Sequence, residues 1–351
     1  MNWKLHIYHP GVLTALCAAV LFGAGTPLAK LLLHSINPWM LAGLLYLGSG
    51  LGLLLYRVFK RSKSVNLSRQ ELPWLIGAIT SGGIVSPVLL MLGLNGMSAS
   101  AVSLLLNAEG VFTACLAWFV FKENFDRRIA LGMFAILMGA TILSWSNNAE
   151  FSGFLPTLAI LGACFSWGID NNLTRKVSLS DATWIAAVKG LVAGSVNLIL
   201  AFALGATLPP LPNIFSAMAV GFFAYGVSLT LFILALRHLG TARTGAYFSI
   251  APFLGALIAV MLGEPVTTQL IIAGVLMAFG VWLHLTEQHE HIHTHTPLEH
   301  EHEHSHDEHH QHTHKELITP NNKHTHKHSH QPIIHSHSHF PDVHHRHNHS
   351  P

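Results

Sequence analysis

A few polar side chains stand where the surrounding sequence is otherwise apolar, and their types suit ion or solute handling. Glu109 lies about eleven residues into an apolar run, roughly 16 Å deep in a membrane at 1.5 Å per residue. A carboxyl group there needs a partner, a wet cavity or a task. It can hold a cation directly, carry a proton, or sit protonated in a purely structural hydrogen bond. Asn107 is beside it. Asp170 falls near the end of one apolar run and Lys189 near the start of the next, so antiparallel helices would bring them to matching depth. An ion pair between them relieves both desolvation costs, as a fixed clasp or as a gate that cargo displaces. Asn171 follows Asp170, Trp167 lies in the same run and can line a cavity or simply pack, and Asn197 adds a polar contact deeper than Lys189.

A second chemistry begins at His289. Twenty-three of the 28 histidines lie in residues 289–351, largely alternating with other residues. Neutral imidazole favours Zn, Ni, Co and Cu(II), and a spacing of two lets a flexible chain supply several nitrogens. The candidate ligands are His289, His291, His293, His295, His300, His302, His304, His306, His309, His310, His312 and His314. No spacing matches a closed structural zinc site, so exchangeable metals on a disordered tail are expected. Two other readings of the tail stay open. One is incidental storage. The other is a pH sensor, since protonation between pH 7 and 6 turns an acidic tail basic and lets it dock on anionic lipid.

The elements that must position these groups follow from composition. Half of the 351 residues are hydrophobic, 10% are charged and the mean hydropathy is +0.43. Soluble chains carry roughly 25% charged residues, so an ordinary soluble protein is excluded. Ten apolar runs recur, at about 11–33, 38–58, 72–93, 98–121, 127–145, 153–174, 182–205, 213–236, 242–262 and 266–286, each near the 20 residues that cross a bilayer. With the N-terminus inside, one side receives thirteen Lys and Arg and the other only Lys30. That bias predicts a multi-pass protein of a bacterial inner membrane with both termini cytoplasmic, its first span retained. Cys17, Cys115 and Cys164 all lie inside apolar runs, which excludes a disulfide scaffold.

The two halves echo each other at 141 residues: Ala101 with Ala242, Phe112 with Phe253, Glu123 with Glu264, Gly139 with Gly280. Five spans per half would place the second half upside down, as an inverted repeat. "LFGAGTPLAK", "SASAVSLLLNAEGVFTACLAWFVFKEN" and "ALRHLGTARTGAYFSIAPFLGALIAVMLGEP" resemble the EamA-type repeats of the drug/metabolite transporter superfamily, over about residues 11–286. The resemblance implies a ten-helix carrier with a central cavity, often an exporter. One departure is Gly110, where such repeats commonly have Pro; the ninth span keeps Pro252.

The expected protein is therefore an all-α integral membrane protein: repeats at 1–146 and 147–288, then a His-rich tail at 289–351. Its expected function is secondary transport of a small solute by alternating access, with Glu109 as the candidate proton site. Lipid and the cargo are the expected partners, without nucleic acid. No cofactor is required, and Zn, Ni or Co can load the tail. The alternatives are a divalent-metal carrier and a non-transporting metal sensor or store. No ATP-binding loop, HExxH or GxSxG occurs, which argues against an enzyme. Glu123 and Glu264 read as hinge or capping groups, and Lys30 as a residue that snorkels to the interface.

Overall fold

The computed structural model describes residues 10–62, 65, 67–121, 127–144, 154–177 and 180–285, together with 290–294, 299–304, 324–329 and 334–338. The chain divides into two units, Met1–Glu287 and Gln288–Pro351.

Among the described residues the first unit is helical. α1 is Pro10–Leu32 and α2 is Pro38–Phe59. α3 (Leu72–Ala78) continues through a π-helical segment, Ile79–Val85, into α4 (Ser86–Gly96). Then come α5 (Ala99–Leu105), α6 (Ala108–Phe121), α7 (Arg127–Ser144), α8 (Phe154–Val177) and α9 (Ala182–Ala203). α10 (Leu211–Gly221) passes through a second π-helical segment, Phe222–Val227, into α11 (Ser228–Phe248). α12 is Ala251–Met261 and α13 is Thr268–Leu285. Local signals set several starts. Asn37 caps α2 by accepting the Trp39 amide at 3.0 Å, with Pro38 in the first turn. Asp181 caps α9 through the Trp184 amide at 3.0 Å.

Six described runs are long and apolar enough to cross a membrane: 11–32, 38–59, 72–96, 99–120, 182–203 and 211–235. Two departures from the expected spans matter. The fourth run is interrupted at Leu106–Asn107, where the Asn107 amide turns back to the Leu104 carbonyl at 2.9 Å. Such a side chain competes with the helix's own hydrogen bonds. The loop expected near 237–241 is helical instead, and the chain breaks at Ser249–Ile250. There Pro252 lacks the donor that continuing α11 would need.

α2 packs along α9, α7 along α13 and α1 along α11. α7 and α13 approach through glycine from both sides. A Cβ on Gly139 would stand 2.8 Å from Met277 and 3.1 Å from the Ala273 carbonyl; one on Gly280 would stand 2.6 Å from the Gly132 carbonyl and 2.9 Å from Ile136. Each residue of one contact is 141 positions from its counterpart in the other. The two π-helical segments also correspond, and each is followed by a serine that ties it to another helix. Ser86 donates to the Ala163 carbonyl at 3.2 Å and Ser228 to the Ala18 carbonyl at 2.8 Å.

In the second unit, β1 (Glu290–Thr294) pairs antiparallel with β4 (Ile334–Ser338), and β2 (Glu299–His304) with β3 (His324–Ser329). The expectation from sequence is a tail without regular structure, and these four segments run extended. The physical reason is that His-X alternation has the two-residue period of a strand. The register sets His291 opposite His337 and His293 opposite His335. It likewise sets His300, His302 and His304 opposite His328, His326 and His324. His289, His295, His306, His309, His310, His312 and His314 lie outside the described residues.

Candidate functional site

The polar groups converge where α8 meets α6, α9 and the π-helical segment of the third span. Lys189 on α9 reaches both carboxylate oxygens of Asp170 on α8, at 2.6 and 2.7 Å, and the Thr174 hydroxyl at 3.2 Å. Thr174, one turn along α8, donates to Asp170 at 2.8 Å. Asp170 and Lys189 are only 6% and 4% exposed, so the pair is removed from solvent and neutralises itself.

Directly beneath Asp170 is Gly82. Any side chain there would collide with the Asp170 carboxylate. The π-helical turn also frees backbone acceptors that an α-helix would use internally. The Gly82 carbonyl takes hydrogen bonds from the Tyr46 hydroxyl at 2.8 Å and the Trp167 indole at 3.1 Å. The Gly83 carbonyl takes one from Asn197 at 3.1 Å. Asn197 is fully buried, and its side-chain oxygen has no partner among the described residues.

Glu109 sits in the first turn of α6, just past the helix break. Asn171 donates to its carboxylate at 2.8 Å and to the Thr113 hydroxyl at 3.3 Å. Asn172 reaches the Thr113 carbonyl at 3.2 Å and the Gly168 carbonyl at 2.9 Å. Glu109 is partly exposed, Asn171 is exposed, and the position of Gly110 faces open space. The two carboxylates thus belong to one polar seam along α8, joined through the neighbours Asp170 and Asn171. Among the described residues that seam holds two carboxylates and one ammonium.

An aromatic wall stands beside it. Phe22 packs edge-on to Trp167 and Tyr225, at 6.2 and 6.0 Å between ring centres, and Tyr46 lies 5.4 Å from Tyr225. Phe22, Gly23, Thr26, Ser103, Leu106, Ala251 and Pro252 close around a space too tight for a water molecule.

The structure therefore joins Asp170 with Lys189, and Glu109 with Asn171, and puts Trp167 and Asn197 against the π-helical segment. Asn107 is placed elsewhere: its amide faces Leu104 and, at 3.9 Å, the Met277 sulfur on α13. Thr174 is legible from its four-residue spacing to Asp170, whereas Tyr46, Gly82, Thr113 and Tyr225 are additions that spacing does not reveal, because their contacts arise from a π-helical turn and from packing of distant helices. Lys30 does not simply reach for the interface; it donates to the Leu94 carbonyl at 2.7 Å and the Asn95 carbonyl at 3.3 Å. Glu264 caps a helix, but α5 rather than its own: its carboxylate accepts the Ala99 and Ser100 amides at 2.7 and 2.8 Å. Glu123 lies outside the described residues.

At the end of α2, Arg57 binds Asp181 and the Thr183 hydroxyl, both at 2.7 Å. Burial alone would raise the Asp181 carboxyl. The Thr183 hydroxyl, the Trp184 amide and the Arg57 guanidinium outweigh it and hold the group below the usual aspartate range.

The model of the EamA-like transporter family matches residues 9–145 and again 155–286. An "uncharacterized transporter" of Methanothermobacter thermautotrophicus is 29% identical over 294 residues, covering 78% of this chain and 85% of the relative. A "probable amino-acid metabolite efflux pump" of Salmonella typhimurium is 26% identical over 294 residues, covering 77% and 93%. The Escherichia coli protein of the same description is also 26% identical. One solved structure, described only as the crystal structure of a protein, aligns with a TM-score of 0.60 at 17% identity, over 78% of this chain and 94% of that one. That likeness concerns the fold.

Proposed function

The chain belongs to the EamA-like transporter family, and on that premise we propose that it is a secondary carrier exporting a small amine-bearing organic solute across the inner membrane. Membership and the apolar helices establish a multi-pass membrane transporter. The finer reading has two inverted five-helix halves, 1–146 and 147–288, that alternate access to the seam between α6, α8 and α9. The reciprocal contacts of Gly139 and Gly280, and the matched π-helical segments, support that arrangement.

The observation that carries the functional reading is the charge count of the seam. Asp170 and Lys189 satisfy each other, which leaves Glu109, held by the Asn171 amide, facing the open side. A carboxylate in that position calls for one positive charge. A proton supplies it in one state and a cargo ammonium group in another, so binding of the two is mutually exclusive and exchange follows. The aromatic wall of Phe22, Trp167 and Tyr225 suits the cargo's apolar part. The names of the efflux-pump relatives agree with an amino-acid-like solute leaving the cell. The alternative of a divalent-metal carrier fits less well: among the described residues no three His, Cys, Asp or Glu side chains assemble as a metal site.

The tail is, in this reading, a cytoplasmic metal-binding appendage. Its register-opposed histidines, such as His302 and His326, would hold Zn, Ni or Co between strands.

Metabolite export tests the main proposal. Cells preloaded with dipeptides and expressing the full chain should release amino acids faster than cells expressing Glu109→Gln at equal membrane abundance. Equal release would reject Glu109 as the coupling group, and no release above empty cells would reject the amino-acid class.

A further inference from the structure

We infer that Glu264 is the latch of a gate that closes one end of the passage, and that Ser103 becomes a polar contact for water or cargo when that gate opens. α5 and α12 run antiparallel and meet along one seam with three layers. The outermost is the pair of hydrogen bonds from the Ala99 and Ser100 amides to Glu264. Ser98, the local cap of α5, accepts the Ala101 amide at 3.3 Å and the Ser100 hydroxyl at 3.4 Å. The remaining first-turn donors are thus tied by a charged group from another helix, in the arrangement that a helix N-terminus favours most. In the middle layer a Cβ on Gly255 would stand 2.7 Å from the Ser103 hydroxyl oxygen and 2.8 Å from the Gly23 carbonyl, so α1, α5 and α12 touch. In the innermost layer Leu106 closes against Ala251, Pro252 and Phe22, leaving no room for water.

The closed seam carries a built-in cost. Ser103 is 1% exposed, and among the described residues its hydroxyl has no hydrogen-bond partner. An unpaired buried hydroxyl disfavours the state that buries it, and the penalty vanishes once the helices part and water or a solute reaches it. The latch opposes that tendency with two charge-assisted bonds. These are exchangeable for water, and they border a cleft of about 280 Å³ lined by Ser98, Ser100, Pro265, Thr267 and Gln269. Lys30, bound to the Leu94 and Asn95 carbonyls, anchors α1 to α4 at the same end. The seam is therefore balanced between two states rather than locked.

A second instance of the orphaned hydroxyl supports a gate over a local packing flaw. Thr244, 141 positions after Ser103, is also fully buried without a partner among the described residues.

The inference rests on the carrier reading for its purpose but not for its test. Ser103→Cys would be introduced into the full chain with Cys17, Cys115 and Cys164 replaced by Ala. Labelling by a membrane-impermeant thiol reagent would then be timed in right-side-out and inside-out vesicles. Glu264→Ala should speed labelling at least about tenfold from the Glu264 face alone, as expected for losing charge-assisted hydrogen bonds. Glu264→Gln should give a smaller rise and also serves if the alanine variant does not reach the membrane. Ser98→Ala, which removes the local cap but leaves the latch, should give no change. Unchanged labelling in both Glu264 variants would overturn the proposal, and so would equal acceleration from both faces, which signals general loosening. One-sided acceleration in a protein that exports nothing would leave the gate standing and reject the carrier reading.

Discussion

Lys189 binds both oxygens of Asp170 across the α8–α9 interface, at 2.6 and 2.7 Å, and the Asp170 carboxylate rests on a glycine of a third span. The ion pair thus fixes three helices around one buried charge centre. Lys189→Met strands the carboxylate and should cost about 3–5 kcal/mol of stability, whereas Lys189→Met with Asp170→Asn should recover most of it. Thermal unfolding in detergent checks this. If the double variant is as unstable as the single one, the two groups are not coupled as described.

Gly82 makes a sharper version of the same point. Gly82→Ala puts a methyl group into the space of the Asp170 carboxylate and threatens both hydrogen bonds that the Gly82 carbonyl accepts from Tyr46 and Trp167. The variant should be destabilised far more than Gly110→Ala, whose added methyl meets nothing within 4 Å. Comparable melting temperatures would contradict the placement of the π-helical turn.

Part of this site is legible in the sequence. Asp170 and Lys189 flank one connection between consecutive spans, so helix geometry alone brings them together, and Glu109 stands out because a carboxyl deep in an apolar run is costly. The Tyr46–Gly82 bond is not legible, since it depends on a π-helical turn that frees a carbonyl. The Glu264–Ala99 contact spans 165 residues and reads locally as an ordinary helix end. Hydropathy also misplaces the break near Ser249, because an apolar run looks the same whether its helix is whole or interrupted. In the tail, alternating histidine reads equally as a loose ligand chain and as a strand.

The reciprocal glycines at α7 and α13 predict equal consequences. Gly139→Val and Gly280→Val each push a branched side chain into the facing helix, at about 1–3 kcal/mol by overpacking. Because the two positions share one interface, the double variant should cost less than the two effects added. Full additivity in unfolding measurements would show that they do not face each other's helices.

Asp181 gives a pH signature. Its folded carboxyl is held below the unfolded aspartate value of about 3.9. Its contribution is therefore present above that value and lost as pH falls through the lower folded one. With 40% of its side chain exposed, the contribution is small, under about 1 kcal/mol after solvent screening. Asp181→Asn should lower stability slightly at pH 7, and the difference should shrink as pH falls below about 3.9. A difference that stays constant as pH falls would place the effect in helix capping rather than in charge.

Opposed strands predict that tail histidines act in pairs. Replacing His300, His302 and His304 by Ala should remove the same tight Zn sites as replacing His324, His326 and His328, with little further loss on combining them. Stoichiometry by calorimetry on the full chain checks this. Additive losses would mean independent ligands.

In the proposed carrier a proton and an amine-bearing solute exchange at Glu109. The most direct measurement is the pH inside proteoliposomes holding the purified full chain and a pH-sensitive dye, after an amino acid is added outside. A solute-dependent proton flux is expected in the wild type and should collapse in Glu109→Gln, which should also bind the solute more weakly because the ammonium group loses its counter-charge. Solute movement without proton flux, or equal flux in both proteins, would contradict this exchange.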